Sequence, residues 1–540
     1  MSPDDYRRAF GDGKNRKAAL TGQPGFAPRA YDAGRTDIPS MSGWRTRIGQ
    51  VDREALGSRD QIVARARDLV RNNPIISGGL DRRQEAVVGQ RIRLRAQPDF
   101  AAMGRGFEWA DKWSQGVEAQ FRVWDRDSRK LCDAERTQNF GALAATAYRH
   151  WWVDGEALAY VEMRDRGSAY RTCVRLIDPD RLQNPRGMSD NATLPNGNTT
   201  VGGVEIDPSG VAVAYHIRVQ HPDKIGTSFQ SAETVRIERE DRDGRPRMIH
   251  AFRRSRAEQR RGISRLVASM RRIKMLDRYD NAELEAALLN AVMAMQVKTT
   301  VPTAEIKEAL APVAGDTGHQ DWNVAAQVDY RGDKPLYLDG VQILNLLPNE
   351  EASFLTAARP AAHYPEFRAE GLRSIASDFG LSHQQLAQNW EDINYSSART
   401  LLNEIWRGLL DDRWLFGQEF CTPIYAAWLQ EAVAIGKVKL PGGPVAFFRY
   451  RAELTMADWL GPGRGRIDPK KEADASDSNM AANRTNLSME AAEQGLDARE
   501  VLMGRARDKR MLKEFQLEES LDAKPAGAPA ETASVEEGDQ

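Results

Sequence analysis

The sequence predicts an α+β fold that is mainly helical. Two long stretches of helical apolar spacing lie on either side of a mixed, polar insert, and short alternating segments are concentrated before residue 250. The chain has 540 residues, room for three or four domain-sized units. Its 76 Lys and Arg balance 77 Asp and Glu, for a formal net charge of −1. That balance excludes a polycation that coats nucleic acid, but not basic and acidic surfaces kept apart.

Residues 1–45 are rich in Gly, Pro, Arg and Asp without sustained periodicity, which predicts a flexible arm. The opening MSPDDYRRAF has no apolar signal core, and no run approaches the ~18 apolar residues of a membrane span. The expectation is a soluble protein made inside a cell. Helical spacing then begins at Ser58, a capping residue, and continues through Ile62, Ala66, Leu69 and Val70 until Pro74. A second helix spans 75–88 and ends at Gly89. Arg91–Arg95 alternates as a strand with one wet face. Helices follow over 107–124 and 140–152, then a strand over 158–163. VRLIDPDRL, residues 174–182, is a strand running into an Asp-Pro turn. Short β segments at 204–206, 211–219 and 234–239 complete this half.

After Gly262, one helical face is marked by Ile263, Leu266, Val267, Met270, Ile273, Leu276 and Tyr279, and the pattern runs to about Val297 without Gly or Pro. Residues 299–349 form a mixed insert, and helical periodicity resumes from 350 to 379. A polar break, 380–395, precedes a long helix over 396–436 that Pro423 kinks. Residues 441–459 alternate like strands, and 470–520 are helical and polar. The final stretch is low-complexity and acidic; residues 461–540 together hold 12 basic and 17 acidic side chains.

Catalytic chemistry is hard to find. Cys132, Cys173 and Cys421 give neither a disulfide framework nor a zinc pattern. GxSxG, HExxH and DxDxDG are absent, and Gly461–Gly465 lacks the Lys and hydroxyl of a phosphate loop. His216 and His221 lack a ligand cluster, so a structural role is favoured. Asp178 and Asp180 read as a turn. Asp154 and Glu156 share a face that would suit a metal, but no third ligand is apparent, and they too read as a turn. No nucleophile, base and orienting group come together, which predicts a protein that is not an enzyme and uses no cofactor or metal. What stands out is a basic run, Arg260, Arg261, Arg265, Arg271, Arg272, Lys274 and Arg278, on the first long helix. It reads either as a solvated face or as a face toward a polyanion or acidic neighbour.

Several blocks, in order, resemble the lambda-type family of bacteriophage portal proteins. RARDLVRNNP (65–74), WVDGE (152–156), LIDPDRL (176–182), VAVAYHI (211–217) and HAFRRSRAEQRRGIS (250–264) come first. The most specific is the stretch within 372–399 reading IASDFGLSHQQLAQNWEDINYSSAR, and GRIDPKKEA (465–473) closes the series.

The resemblance implies a portal-type subunit that assembles as a ring of usually twelve at one capsid vertex of the virion. Double-stranded DNA passes non-specifically through its channel. Its partners would be other copies of itself, the large terminase subunit, major capsid and scaffold proteins, and head-completion or connector proteins, with no membrane. The family's regions fall on 1–45 (arm), 46–261 (wing), 262–298 (stem helix), 299–349 (clip), 350–379 (stem helix), 380–395 (tunnel loop), 396–469 (long wing helix and returning strands), 470–520 (helical crown) and 521–540 (acidic tail). The tunnel loop would offer Gln384, Gln385, Gln388, Asn389, Trp390, Glu391, Asp392 and Asn394 to DNA. Arg265, Arg271, Arg272, Lys274 and Arg278 would be the stem's basic residues. The competing readings are an enzyme of nucleic-acid packaging and another head–tail structural protein.

Overall fold

The computed structural model describes residues 43, 46, 48–224, 233–291, 295–299, 336–338, 341–343, 350–354, 363–390, 395–465 and 468–515. Most of the proposed arm, most of the clip and the acidic tail lie outside the described residues.

Helix α1, Val51–Asn72, begins about two turns before Ser58, which lies inside it. Asp52 holds the early start: it is buried and accepts from the Arg260 amide at 2.8 Å, a distant partner that sequence periodicity does not display. Asn73 then ends α1 and caps α2, Pro74–Val87. Its side-chain oxygen accepts from the amides of Ile75 and Ile76, each at 3.1 Å, while Pro74 fills a position that needs no amide.

The large core forms where α3 (Phe107–Asp125) and α4 (Phe140–Val153) meet the long helix of the second half. Phe121 sits among Trp124, Phe140, Tyr425, Trp428 and Trp459, with ring centroids 5.1–6.2 Å apart. Such edge and tilted contacts add to the burial of the rings themselves. That helix runs as α8 (Tyr395–Phe416), a π turn (Gly417–Cys421) and α9 (Thr422–Ala434). In the π turn the Thr422 amide reaches back to Gly417, so Pro423 is accommodated without ending the helix.

Strand β1 (Arg93–Ala96) pairs antiparallel with the late strand β14 (Ala457–Leu460), bringing distant parts of the chain together. The central sheet is antiparallel with order β3-β2-β9 (Thr172–Ile177, Glu156–Met163, Met248–Phe252), and Leu158 is aligned with Ile177 on one side and His250 on the other. A five-stranded antiparallel meander, β4–β8, is built from Ala192–Thr193, Thr199–Val201, Val204–Ile206, Ala212–Arg218 and Thr234–Glu238. It shares a small apolar core with Leu158, Ile177 and Met248.

Three sequence expectations need correction. The first long helix does not run from 262 to 298: α5 spans Met270–Ala291, and Met295–Thr299 is strand β10. Glu350–Phe354 is likewise a strand, β13, rather than the start of a helix, and pairs antiparallel with β10. The lack of Gly or Pro permits a helix but does not enforce one; pairing across the insert wins. Short strands β11 (Leu336–Leu338) and β12 (Val341–Ile343) pair within the insert. Third, the alternation before Trp459 is mostly helical, as α10 (Gly443–Arg449) and α11 (Arg451–Leu454). Gly442 in the left-handed region and Pro444 in the first turn start α10 and override the period-two pattern.

Candidate functional site

Helix α5 packs beside α6, Tyr364–Phe379. The Asp280 carboxylate accepts from the Tyr364 hydroxyl at 2.9 Å and from Arg368 Nε at 3.2 Å. Tyr279 meets Phe367 edge-on at 5.1 Å, and Leu276 closes over Gly371. Arg272 donates to the Ser374 hydroxyl. This is the face of α5 that meets its neighbour.

The opposite face carries Arg271, Lys274 and Arg278 at helical spacing, all exposed, with Glu285 farther along. Lys274 stays within 3.3 Å of Asp277. Arg265 does not belong to this stripe. It precedes the helix, its amide donates to the Trp152 carbonyl at 3.0 Å, and its side chain is half-buried. Arg260 and Arg261 also precede the helix and serve the interior. The basic run thus separates into three exposed residues of α5, one inter-helix contact and an internal group.

Beyond α6, Gly380 adopts a left-handed conformation at φ 58° and stops the helix. Ser382 and Gln385 form a reciprocal capping box for the short helix α7, His383–Ala387. Gln385 is thereby committed to the backbone, with both bonds at 3.0 Å. Leu386 is buried against Gly79 and anchors α7 to α2. Gln384 is half-buried. Gln388, left-handed at φ 55°, turns the chain outward, and Asn389 and Trp390 follow on the surface with the Trp ring 47% exposed. Glu391, Asp392 and Asn394 lie outside the described residues.

The conspicuous electrostatic centre is one that sequence reading took for a turn. Glu156 is fully buried. Its carboxylate accepts from Arg59 at 2.8 Å, Arg261 at 2.6–3.1 Å, His250 at 2.9 Å and the Gly262 amide at 2.8 Å. Burial alone would raise its pKa; Arg261, Arg59 and His250 outweigh that and hold it well below the usual carboxylate range. Burial keeps His250 below its ordinary value, and its Nε2–H faces the carboxylate. A second knot adjoins it. Arg67 grips Asp154 through Nε at 2.8 Å and reaches Asp180 at 2.7 Å and Asp178 at 3.0 Å. Burial would raise Asp154, but His150 and Arg67 prevail and lower it.

These two knots join four of the recognised blocks: RARDLVRNNP through Arg67, WVDGE through Asp154 and Glu156, LIDPDRL through Asp178 and Asp180, and RRGIS through Arg261 and Gly262. The missed signal was local. Two acids inside WWVDGEALAYV, an otherwise apolar stretch, need buried cations. The Asp178 and Asp180 turn is present, with Asp178 capping Pro179–Arg181.

Among the described residues, one cluster has metal-ligand types: Asp178, Asp180 and His221. Its ligand atoms already have other partners. His221 Nδ1 accepts from the Asp223 amide at 3.2 Å, so in the neutral ring Nε2 carries the proton. That nitrogen faces the two carboxylates at 3.8 and 3.7 Å, and Arg67, which also holds Asp154, donates to both. His216 is elsewhere, 3.2 Å from Glu205.

The helix pair α5 and α6, followed by a polar turn fastened to α2, is carried on an α+β body. The family model for the phage portal protein, lambda family, matches residues 38–413. The chain belongs to the lambda family of phage portal proteins, and its function is that of a portal protein in DNA packaging. It is 27% identical to the portal protein of Escherichia phage N15 over 479 residues, 87% of each chain. It is equally 27% identical to portal protein B of Escherichia phage lambda over 477 residues, again 87% of each. Among solved structures, it is similar to a chain in the neck of a native gene transfer agent particle, computed with C12 symmetry, at 12% identity. That match covers 86% of this chain and 99% of the other, with a TM-score of 0.38. An HK97 family phage portal protein from Corynebacterium diphtheriae is 11% identical, covering 63% and 84%, with a TM-score of 0.29.

Proposed function

We propose that this chain closes into a ring of twelve at one vertex of the virion capsid and that double-stranded DNA enters and leaves through the ring's bore. The family match over residues 38–413 carries this reading. In it, α5 and α6 are the stem around the channel, the insert between them is the clip offered to the large terminase subunit and to head-completion proteins, and the body before residue 262 is the wing toward capsid and scaffold proteins. The segment around Gln388, Asn389 and Trp390 is the tunnel loop. The subunit's role is structural: the ring by itself hydrolyses no nucleotide.

Physical reasoning about the bore supports weak contact with its cargo. Tight phosphate pairing by many cations gives steep, salt-dependent affinity and would stall a moving duplex. The described part of the turn is polar without Lys or Arg, and the stem's exposed cations per chain are few. Sequence-neutral passage follows, with no base-edge readout.

Mass photometry of the purified protein, alone and with its shell partners, tests the assembly. A particle near twelve times the 60.4 kDa subunit is expected. A chain that never closes into a ring under either condition overturns the reading. An ATPase assay on the ring should stay at background, and tight, salt-insensitive, sequence-specific duplex binding would contradict the conduit.

A further inference from the structure

We propose that the chain's own acidic segment, residues 516–540, lies along the basic stripe of its last helix and screens that stripe from polyanions. The competing polyanion, duplex DNA, rests on the portal reading; the masking itself does not.

The last helix, α14, spans Ala498–Glu514. Its base is pinned to the body. Arg499 pairs with Asp111 at 2.8 Å, and Glu500 pairs with Arg93 at 2.8 Å. Beyond that base the helix leaves the body: every residue from Leu502 to Phe515 is exposed except Leu512, which is half-buried. Arg505, Lys509 and Lys513 recur at every fourth position and so form one stripe, flanked by Arg510. None of these four makes an ion pair among the described residues, whereas both charges at the base do.

Like charges four apart on a helix repel each other, and among the described residues no carboxylate pairs with these four. A stripe of this kind calls for an anion. The next 25 residues supply one. They hold seven acids, Glu518, Glu519, Asp522, Glu531, Glu536, Glu537 and Asp539, against one base, Lys524. The net of −6 is opposite in sign to the stripe. Reach is ample: 25 residues extend up to ~80 Å, whereas the exposed part of α14 is ~20 Å long. The segment also begins where the stripe ends, so its effective concentration there is high.

The functional consequence is a screen that yields to a stronger polyanion. Duplex DNA competes for the same four cations, and its binding becomes conditional on displacing the segment.

Carbodiimide cross-linking of the full chain tests the contact, because it joins a lysine amine to a carboxylate only where the two touch. Links from Lys509 or Lys513 to the distant Glu531, Glu536 or Glu537 are expected at low salt and should fade at about 0.5 M salt. Absence of those links overturns the proposal. A second arm measures anisotropy of a labelled duplex with two full-length variants. One has all seven tail acids neutralised to Gln or Asn. The other adds Arg505→Gln, Lys509→Gln, Arg510→Gln and Lys513→Gln. The first should bind at least about tenfold more tightly at low salt, and the second should lose that gain. A change below twofold in the first, or a gain that survives in the second, overturns it equally. The substituted helix side chains are exposed, and unchanged melting temperatures check folding. A ring that forms without the cross-links sinks this proposal alone, and a failure to form the ring sinks the portal reading alone.

Discussion

Arg261 and Glu156 meet across 105 positions of sequence, Nη2 to Oε1 at 2.6 Å, with both side chains all but removed from solvent. The pair fastens the segment leading into α5 to the first residue of β2.

Glu156→Ala is expected to destabilise the protein by about 3–5 kcal/mol. It leaves Arg59 and Arg261 buried without their common counter-charge, and His250 and the Gly262 amide without an acceptor. Urea unfolding followed by tryptophan fluorescence reads the change. A loss below about 1 kcal/mol would mean that the cluster contributes no more than an exposed pair does.

Beside that pair, two backbones touch. A Cβ on Gly155 would lie 2.2 Å from the Ile263 carbonyl carbon, and one on Gly262 would lie 2.0 Å from the Gly155 oxygen. Gly155 also has φ +88°. Gly155→Ala and Gly262→Ala should each cost more than about 3 kcal/mol, because neither neighbour is a flexible side chain that can yield. Gly116 provides the contrast: it sits inside α3 with nothing within 4 Å of an added Cβ. Gly116→Ala should stabilise by roughly 0.5–1 kcal/mol. Thermal unfolding of the three variants should shift in those opposite directions.

These glycines show what could be read in the sequence and what could not. Helical spacing and the Asn73-Pro74 junction located α1, α2, α3 and α4 to within a few residues, apart from the start of α1, because local signals decide them. The strands at residues 295–299 and 350–354 escaped because their pairing depends on a partner some 50 residues away. The candidate site divides in the same way. The exposure of Arg271, Lys274 and Arg278 follows from helix periodicity, but the burial of Arg261 and Glu156 depends on tertiary closure. Gln385 reads as a polar loop residue until Ser382 is recognised as its capping partner.

The three cysteines are buried, and their thiols resist ionisation. Burial pushes Cys132 up to about 12 and Cys173 to about 11, and raises Cys421 well above its usual value. Because the thiolate is the reactive form, iodoacetamide at pH 8 should label none of them in the native protein and all three in denaturant. Rapid native labelling of Cys421 would show that the core around the π turn opens far more often than its packing allows.

Acid should loosen the five-stranded sheet through Glu205. Its side chain is shielded from solvent and accepts from Arg236 at 2.7 Å, Asn198 at 2.6 Å and Asn196 at 2.8 Å. Burial alone would raise its pKa; Arg236 and the two asparagines outweigh that and lower it from 4.5 to about 2. The folded value lies below the unfolded one, so the stabilisation is complete above about pH 4.5 and drains away as pH falls toward 2. Neighbouring His216 acts in the same direction over a higher range. Burial lowers its pKa below 6.5, so the unfolded chain takes up the proton first and stability falls as pH drops below 6.5. Glu205 alone can contribute at most about 3 kcal/mol, less whatever solvent screens at Arg236, whose side chain is 40% exposed. Glu205→Gln should therefore lie well below the wild type in urea stability at pH 7, and the gap should narrow steadily between pH 4.5 and 2.5. The acid sensitivity that sets in below pH 6.5 should persist in Glu205→Gln and shrink in His216→Gln, the remainder belonging to His250, whose pKa burial also lowers. A gap between wild type and Glu205→Gln that stays constant down to pH 2.5 would show that the carboxylate is not held in its charged form by Arg236 and the two asparagines.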